Sequence, residues 1–426
     1  MSVNDVVLNT NMSSKERYFL FLFCVCFCLQ GSYFTWETFG GVISKAGSSI
    51  VFNFVVGLFL LITYTNRGYS LNISRSLFFS MLFLGLFCLH MLIFTGDGIV
   101  LDKFFFCGKV FLFVVALMIC DVKRKIFIFN TLAKVFALAI LPSILVFVLY
   151  NFGIELPFTI LETDHWLKGQ AGMFYRMYPL GLMLTNDVGT LMRPCGIWDE
   201  AGVIGTFIPF LIAGGFKTLG KKWLGLMAFE GMCSTSAAFF ALMVCFSFVY
   251  LMTVDYRKAM GLIISLLLGM FVFVNIEVTN PSLQRMQSRL DFSTATVLKD
   301  NRTSPEFDIE YSKFVDAGGY GLFMGNGEKW FMENMTKIDA CSWKIIVYMY
   351  GIVGLLLYGM FFSFMTKYLG VTKYSLPFLC TYVISLYQRP YIVSLQFLLI
   401  FITAMTTLNQ VYRKVKNKNA STVCRF

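Results

Sequence analysis

The stretch RPCGIWDEAGVIG, Arg193 to Gly205, gathers an arginine, a proline, two adjacent carboxylates and three glycines directly before an apolar run. Asp199 and Glu200 fall at the expected start of a helix, where the helix dipole favours negative charge. That accounts for one of them. It does not account for Arg193, Pro194, Gly196 and Trp198 arriving together. A rigid turn holding an arginine and a carboxylate beside a membrane helix can bind a phosphate and activate a hydroxyl by taking its proton. Trp198 can stack on a sugar or anchor at the bilayer interface. Arg176 lies earlier in the same connection, and Arg285, Arg289 and Arg302 lie in a later one. Arg285 and Arg289 share a face of a predicted helix, where like charges at i and i+4 repel by a few tenths of a kcal/mol. A shared anion would reverse that sign, and the planar guanidinium suits phosphate better than an ammonium does. The other reading is a solvated basic face with acids such as Asp291 nearby.

Three ionisable residues fall inside apolar runs, where they are costly: Lys109, Lys134 and Glu230. Both lysines can snorkel. Glu230, in MAFEGMCSTSAAF, reads equally as a proton- or substrate-handling group and as a helix–helix hydrogen-bond partner. His90 reads as a buried, satisfied core residue, and His165, in ETDHW, as a solvent-facing loop residue that titrates near neutrality. The segment GGYGLFMGNGEK, Gly318 to Lys329, is either a flexible turn or a nest of backbone amides facing an anion. No GxxxxGK[ST] occurs, which argues against ATP hydrolysis. Neither paired CxxC motifs nor an Asp-x-Asp cluster is present, so no metal or other cofactor is expected. Cys195 and Cys341 fall in expected external segments, where a disulfide between them is one arrangement open to them.

These residues need a scaffold, and composition names its class. The chain has 426 residues, 57% of them hydrophobic and 14% charged, with a mean hydropathy of +0.71. Globular domains carry about 25% charged residues. Continuous apolar runs of roughly 17–25 residues, each able to cross a bilayer, predict an all-α polytopic membrane protein and exclude an alternating transmembrane barrel. Twelve spans are expected, near 18–36, 47–64, 76–95, 104–120, 127–150, 201–216, 223–234, 236–254, 259–276, 343–366, 375–388 and 391–409. The first run, from Tyr18, lacks a small-residue cleavage site and reads as a span. Lys15/Arg17, Arg67/Arg75, Lys123–Lys125, Lys217/Lys221/Lys222, Arg257/Lys258 and Lys367/Lys373 occupy every second connection, and Arg413, Lys414, Lys416 and Lys418 the tail. Both termini are therefore expected in the cytoplasm. The net charge of +11 is spent on topology, and no nucleic-acid partner is implied.

The expected organisation is five spans in 1–150, an external segment 151–200, four spans in 201–276, an external segment 277–342, and three spans with a basic tail in 343–426. Two helices are expected in the second external segment. One starts at Asn280 and Pro281 with Leu283, Met286 and Leu290 on one face. The other starts at Ser304 and Pro305, carries Phe307, Tyr311 and Phe314 as its stripe, and ends at Gly318.

Taken in order, these segments resemble a family. LMRPCGIWDEAGVIGTF is similar to the R-x-x-G…E-[PA]-x-x-x-G segment of O-antigen polymerases (the Wzy family) and, more loosely, of O-antigen ligases. CSTSAAFFAL (Cys233–Leu242) resembles the Ser-rich turn that follows it. GGYGLFMGNG and DACSWKIIVYMYGIVGLLLYG (Asp339–Gly359) resemble the end of the family's second large loop and the span after it, and YQRPY (Tyr387–Tyr391) its late external turn. The resemblance runs from about Arg176 to Ile402 and rests on degenerate motifs in a shared order, so its weight lies in order and topology. Ala201 departs from it, standing where a proline after the glutamate is commonest.

The resemblance implies a fold like that of C-type glycosyltransferases in the bacterial inner membrane, with two large periplasmic loops forming the site. The implied substrate is an undecaprenyl-diphosphate-linked oligosaccharide. The growing chain is transferred onto a new lipid-linked repeat unit, and the diphosphate leaves. It implies Arg193, Arg176, Arg285, Arg289 and Arg302 on the diphosphate, Glu200 or Asp199 as base, and Trp166, Trp198 and Trp330 as stacking surface. Partners in such systems include the bilayer, a chain-length regulator and a flippase. Rival readings are an O-antigen ligase, which typically carries a histidine in the second loop where this chain has none, and a lipid-linked oligosaccharide flippase.

Overall fold

The computed structural model describes residues 12–29, 57–59, 74–95, 101–162, 172–179, 181–186, 192–198, 200–277, 284, 287, 303–328, 331, 342–389 and 391–423. Among the described residues, four helices come first: α1 (Ser14–Leu29), α2 (Arg75–Ile93), α3 (Leu101–Ile119) and α4 (Val122–Asn151). A sheet follows, with β1 (Thr159–Leu161), β2 (Met173–Tyr178), β3 (Gly181–Asn186) and β4 (Met192–Gly196). Then come α5 (Ala201–Gly215), α6 (Lys221–Cys233), α7 (Ala237–Val254) and α8 (Tyr256–Asn275). The chain ends with α9 (Pro305–Ala317), α10 (Gly319–Met324), α11 (Trp343–Leu369), α12 (Ser375–Gln388) and α13 (Leu395–Val423).

Helices occupy eleven of the twelve expected stretches, and the other, 47–64, lies almost wholly outside the described residues. Among the described residues, five helices are long and apolar enough to cross a membrane: Arg75–Ile93, Val122–Asn151, Ala237–Val254, Trp343–Leu369 and Leu395–Asn417. The last helix outruns its expected end at residue 409 and continues to Val423 through the basic tail. Lysine and arginine are good helix formers, so charge alone does not stop it.

Starts are capped as side-chain chemistry requires. Ser74, Asp121 and Ser304 accept hydrogen bonds from the backbone N–H groups of Leu77, Arg124 and Phe307, each satisfying one orphan donor of a first turn. Ser304 opens α9 with Pro305 at its first position, Phe307 and Phe314 are buried, and Gly318 caps it at φ +56°, as its sequence predicts.

The helices share two distinguishable ends. One carries Glu16 paired with Arg124, together with Lys217, Lys221, Arg257, Lys367 and Arg413; this is the basic end. The other carries the sheet, and there the chain departs from an all-α fold. Its four strands form an antiparallel meander in the order β1-β2-β3-β4. Alternation sends Tyr175, Leu184 and Arg193 to one face and Arg176, Met183 and Pro194 to the other. The first face packs Tyr175, Leu182, Leu184 and Cys195 on Ala201 at the start of α5. The second packs Tyr178, Met183 and Met192 on Val146, Phe147 and Tyr150 of α4. Burial on both faces removes the apolar–polar alternation by which a strand is read in sequence. Below this contact α4 contains Pro142, and Ser143 Oγ accepts a hydrogen bond from Gly196 N at 3.0 Å.

Candidate functional site

Glu200 caps α5 in an extended conformation, but its carboxylate does not bond the helix's own amides. It accepts instead from Arg389, with Nη2 to Oε2 at 2.7 Å across 189 residues of sequence. Arg389 closes α12 in the YQRPY turn, its side chain 1% exposed against 35% for Glu200. Its Nη1 donates to the Tyr391 hydroxyl at 3.2 Å. Space for the guanidinium is made by Gly202, where a methyl group would overlap Nη2. One turn on, a methyl at Gly205 would overlap the side chain of Ser236, which caps α7. The glycines of RPCGIWDEAGVIG thus admit an arginine from one neighbouring helix and the start of another. An ion pair with one member inside a low-dielectric bundle fixes geometry more firmly than a solvated one.

Arg193 lies half-buried on the sheet face that packs on Ala201, next in sequence to Glu200. Arg176 lies on the opposite face, because it is paired in register with Met183 and Pro194 while Arg193 is paired with Leu184. There Arg176 meets Glu155 at 2.5 Å and lies over the Phe158 ring at 4.3 Å. Burial pushes the neighbouring Tyr178 hydroxyl above its ordinary value, with Arg176 opposing that shift. The structure therefore does not bring the two arginines together, and a diphosphate held by both is not what this sheet offers. Trp198 is 7% exposed and stacks on Phe136 at 4.4 Å, so its ring is a core element rather than a sugar platform.

The glycine-rich segment is neither a free turn nor an anion nest. Asn326 N and Gly327 N donate to the carbonyl oxygens of Tyr348 and Met349 at 2.9 and 3.1 Å. Those carbonyls are offered to the loop where α11 breaks at Gly351, φ +68°. Gly325, φ +89°, lies so close to that break that a methyl on either glycine would meet the other segment's backbone. The amides are spent on docking the loop to the helix. His90 is the satisfied core histidine its sequence suggests, with Nε2 at 2.8 Å from Tyr350 O.

Glu230 is 0% exposed, and neither carboxylate oxygen has a hydrogen-bond partner among the described residues. That leaves the helix–helix hydrogen bond without support. Lys134 reaches over the Trp223 ring at 5.8 Å, and Lys109 over the Phe106 ring at 5.5 Å. Asp199, His165, Trp166, Trp330, Arg285, Arg289, Arg302 and Cys341, and the helix expected from Asn280 apart from residues 284 and 287, lie outside the described residues. Among the described residues no group of His, Cys, Asp and Glu could hold a metal ion.

YQRPY reads as a turn in sequence, which does not by itself mark Arg389 as a site residue. The available signal was an arginine flanked by tyrosines and a proline at the end of a short apolar helix, where a charge needs a partner. Compared with protein-family models, with curated proteins and with solved structures, the chain matches none.

Proposed function

We propose that this chain is a membrane-embedded glycosyltransferase of the O-antigen polymerase kind. In this reading it has twelve spans with both termini cytoplasmic, the sheet end faces the periplasm, and the membrane is the bacterial inner one. The substrate is an undecaprenyl-diphosphate-linked oligosaccharide. The observation that carries the reading is the Glu200–Arg389 pair, which joins RPCGIWDEAGVIG to YQRPY. These are two of the segments whose sequence resembles the polymerases, and the pair forms at the end where a lipid-linked sugar would arrive.

The chemistry is a displacement at an anomeric carbon. A hydroxyl of the new unit attacks that carbon, its proton passes to Glu200, and the bond to the diphosphate breaks with the electron pair leaving on the diphosphate. Arg193, on the sheet face above α5, stabilises the charge gathering on the leaving group. Arg285, Arg289 and Arg302 are assigned to the same diphosphate on sequence grounds. Arg389 is a positioning residue that aims the Glu200 carboxylate.

The test is Arg193→Ala and, separately, Glu200→Gln, each expressed in cells lacking the gene, with membrane levels checked and surface polysaccharide resolved on a gel. Loss of one partner of a desolvated charge pair costs about 2–5 kcal/mol, roughly a 30-fold to several-thousand-fold loss of rate. Normally inserted variants are expected to give core bearing a single repeat unit and no ladder. A ladder persisting in both removes the site from this stretch. Loss of even the single-unit band overturns the polymerase in favour of a flippase or ligase.

One observation favours a second reading, a transporter of lipid-linked oligosaccharide. Glu230 is a buried carboxylate with no hydrogen-bond partner among the described residues, and such groups mark proton and substrate pathways. Purified protein that moves lipid-linked sugar across vesicles without lengthening it would establish this reading in place of the first.

A further inference from the structure

Cys88 and Cys107 face each other across α2 and α3. The Cys88 thiol points to Cys107 O at 3.8 Å, and the Cys107 thiol points back to Cys88 O at 3.7 Å. This reciprocal arrangement sets the two residues side by side rather than merely on neighbouring helices. Both are buried. Cys88 lies five residues before the end of α2 and Cys107 six after the start of α3. At a rise of about 1.5 Å per residue both are within roughly 10 Å of the sheet end. Lys103 and Glu328 act electrostatically on Cys107, so the pair lies where charged groups of that end reach it.

We propose that Cys88 and Cys107 are a disulfide-forming pair that staples α2 to α3 at the sheet end. The two thiols give up two protons and two electrons as their S–S bond forms. A small-molecule or protein disulfide takes both, and its own S–S bond breaks to give two thiols. The staple bears on the neighbouring loop anchor. Two residues beyond Cys88, His90 holds Tyr350 O beside the break in α11, and Phe87 packs on the Tyr350 ring at 5.6 Å. Oxidation would fix the end of α2 that holds Tyr350 O, next to the α11 carbonyls on which the glycine-rich segment is docked. None of this depends on the transferase reading, since it rests on the geometry of two helices.

The full-length chain, purified in detergent, is incubated with oxidised glutathione, quenched with acid, alkylated under denaturing conditions and mapped by peptide mass. The expected result is a cross-linked pair of peptides carrying Cys88 and Cys107, with both thiols protected from alkylation until a reductant is added. Cys88→Ser abolishes the linked peptide, and so, separately, does Cys107→Ser. Full alkylation of both thiols in the wild-type chain after oxidation overturns the proposal. A glutathione adduct on either cysteine without the link also overturns it. The wild-type map decides the matter even where a serine variant fails to insert.

Discussion

Glu200 and Arg389 form a pair in which one member is sealed and the other is half open. Substituting the open member leaves a buried guanidinium short of its partner, and breaking a buried pair typically costs about 3–5 kcal/mol. Glu200→Asp shortens the reach and should lower turnover while leaving membrane levels near normal; Glu200→Gln should abolish turnover. Gly202 offers a test that touches neither charge. A methyl there displaces the Arg389 head, so Gly202→Ala should shorten or erase the polysaccharide ladder, as should Arg389→Lys, at normal protein level on an immunoblot. An unaltered ladder in Gly202→Ala would mean that the pair does not position anything. At Glu230 the expectation runs the other way. A buried polar group without partners is destabilising by about 1–3 kcal/mol, so Glu230→Met should raise the thermal midpoint of the purified protein. A fall would show that the carboxylate has a partner in the working molecule.

Among the elements, α11 and the glycine-rich segment depend on each other through backbone alone. Gly351→Ala places a side chain in left-handed backbone, at a cost of about 1–2 kcal/mol, and drives it against Phe323 O. Thermal unfolding should therefore shift down. Gly359→Ala, in the same helix with open space around it, should hold or gain about 0.5–1 kcal/mol. Equal shifts in the two would remove the docking role of the break. The same contrast shows what sequence can convey. The helix from Ser304 to Gly318 is readable because cap, first-turn proline, stripe and stop are all local. The sheet is not, because both of its faces are buried and its strands mimic a mixed loop. The pairing of Glu200 with Arg389 is also out of reach, since nothing within 189 residues of chain links them except the fold. The face that Arg176 occupies is out of reach for a simpler reason: it depends on the register of three strands, which the sequence does not display.

At the scale of the whole molecule, charge and fold agree on two ends, and their sides can be assigned separately. A phosphatase reporter active only outside the cytoplasm should work when fused after Leu161, at the sheet end, and fail after Lys222, at the basic end. The reverse pattern would turn the molecule over and withdraw the periplasmic site. The bundle is also uneven in depth. Helices α5, α6 and α12 have 15, 13 and 14 residues, about 20–22 Å at 1.5 Å per residue, against a hydrocarbon layer of about 30 Å. In electrical terms this is a thin spot. A transmembrane voltage falls across low-dielectric material, so if these helices cross the membrane as proposed, it is compressed there into a shorter path and the local field is steeper. In the proposed transferase, a diphosphate arriving at Glu200 and Arg389 from the sheet end would cross little of that voltage, and turnover should be nearly independent of membrane potential.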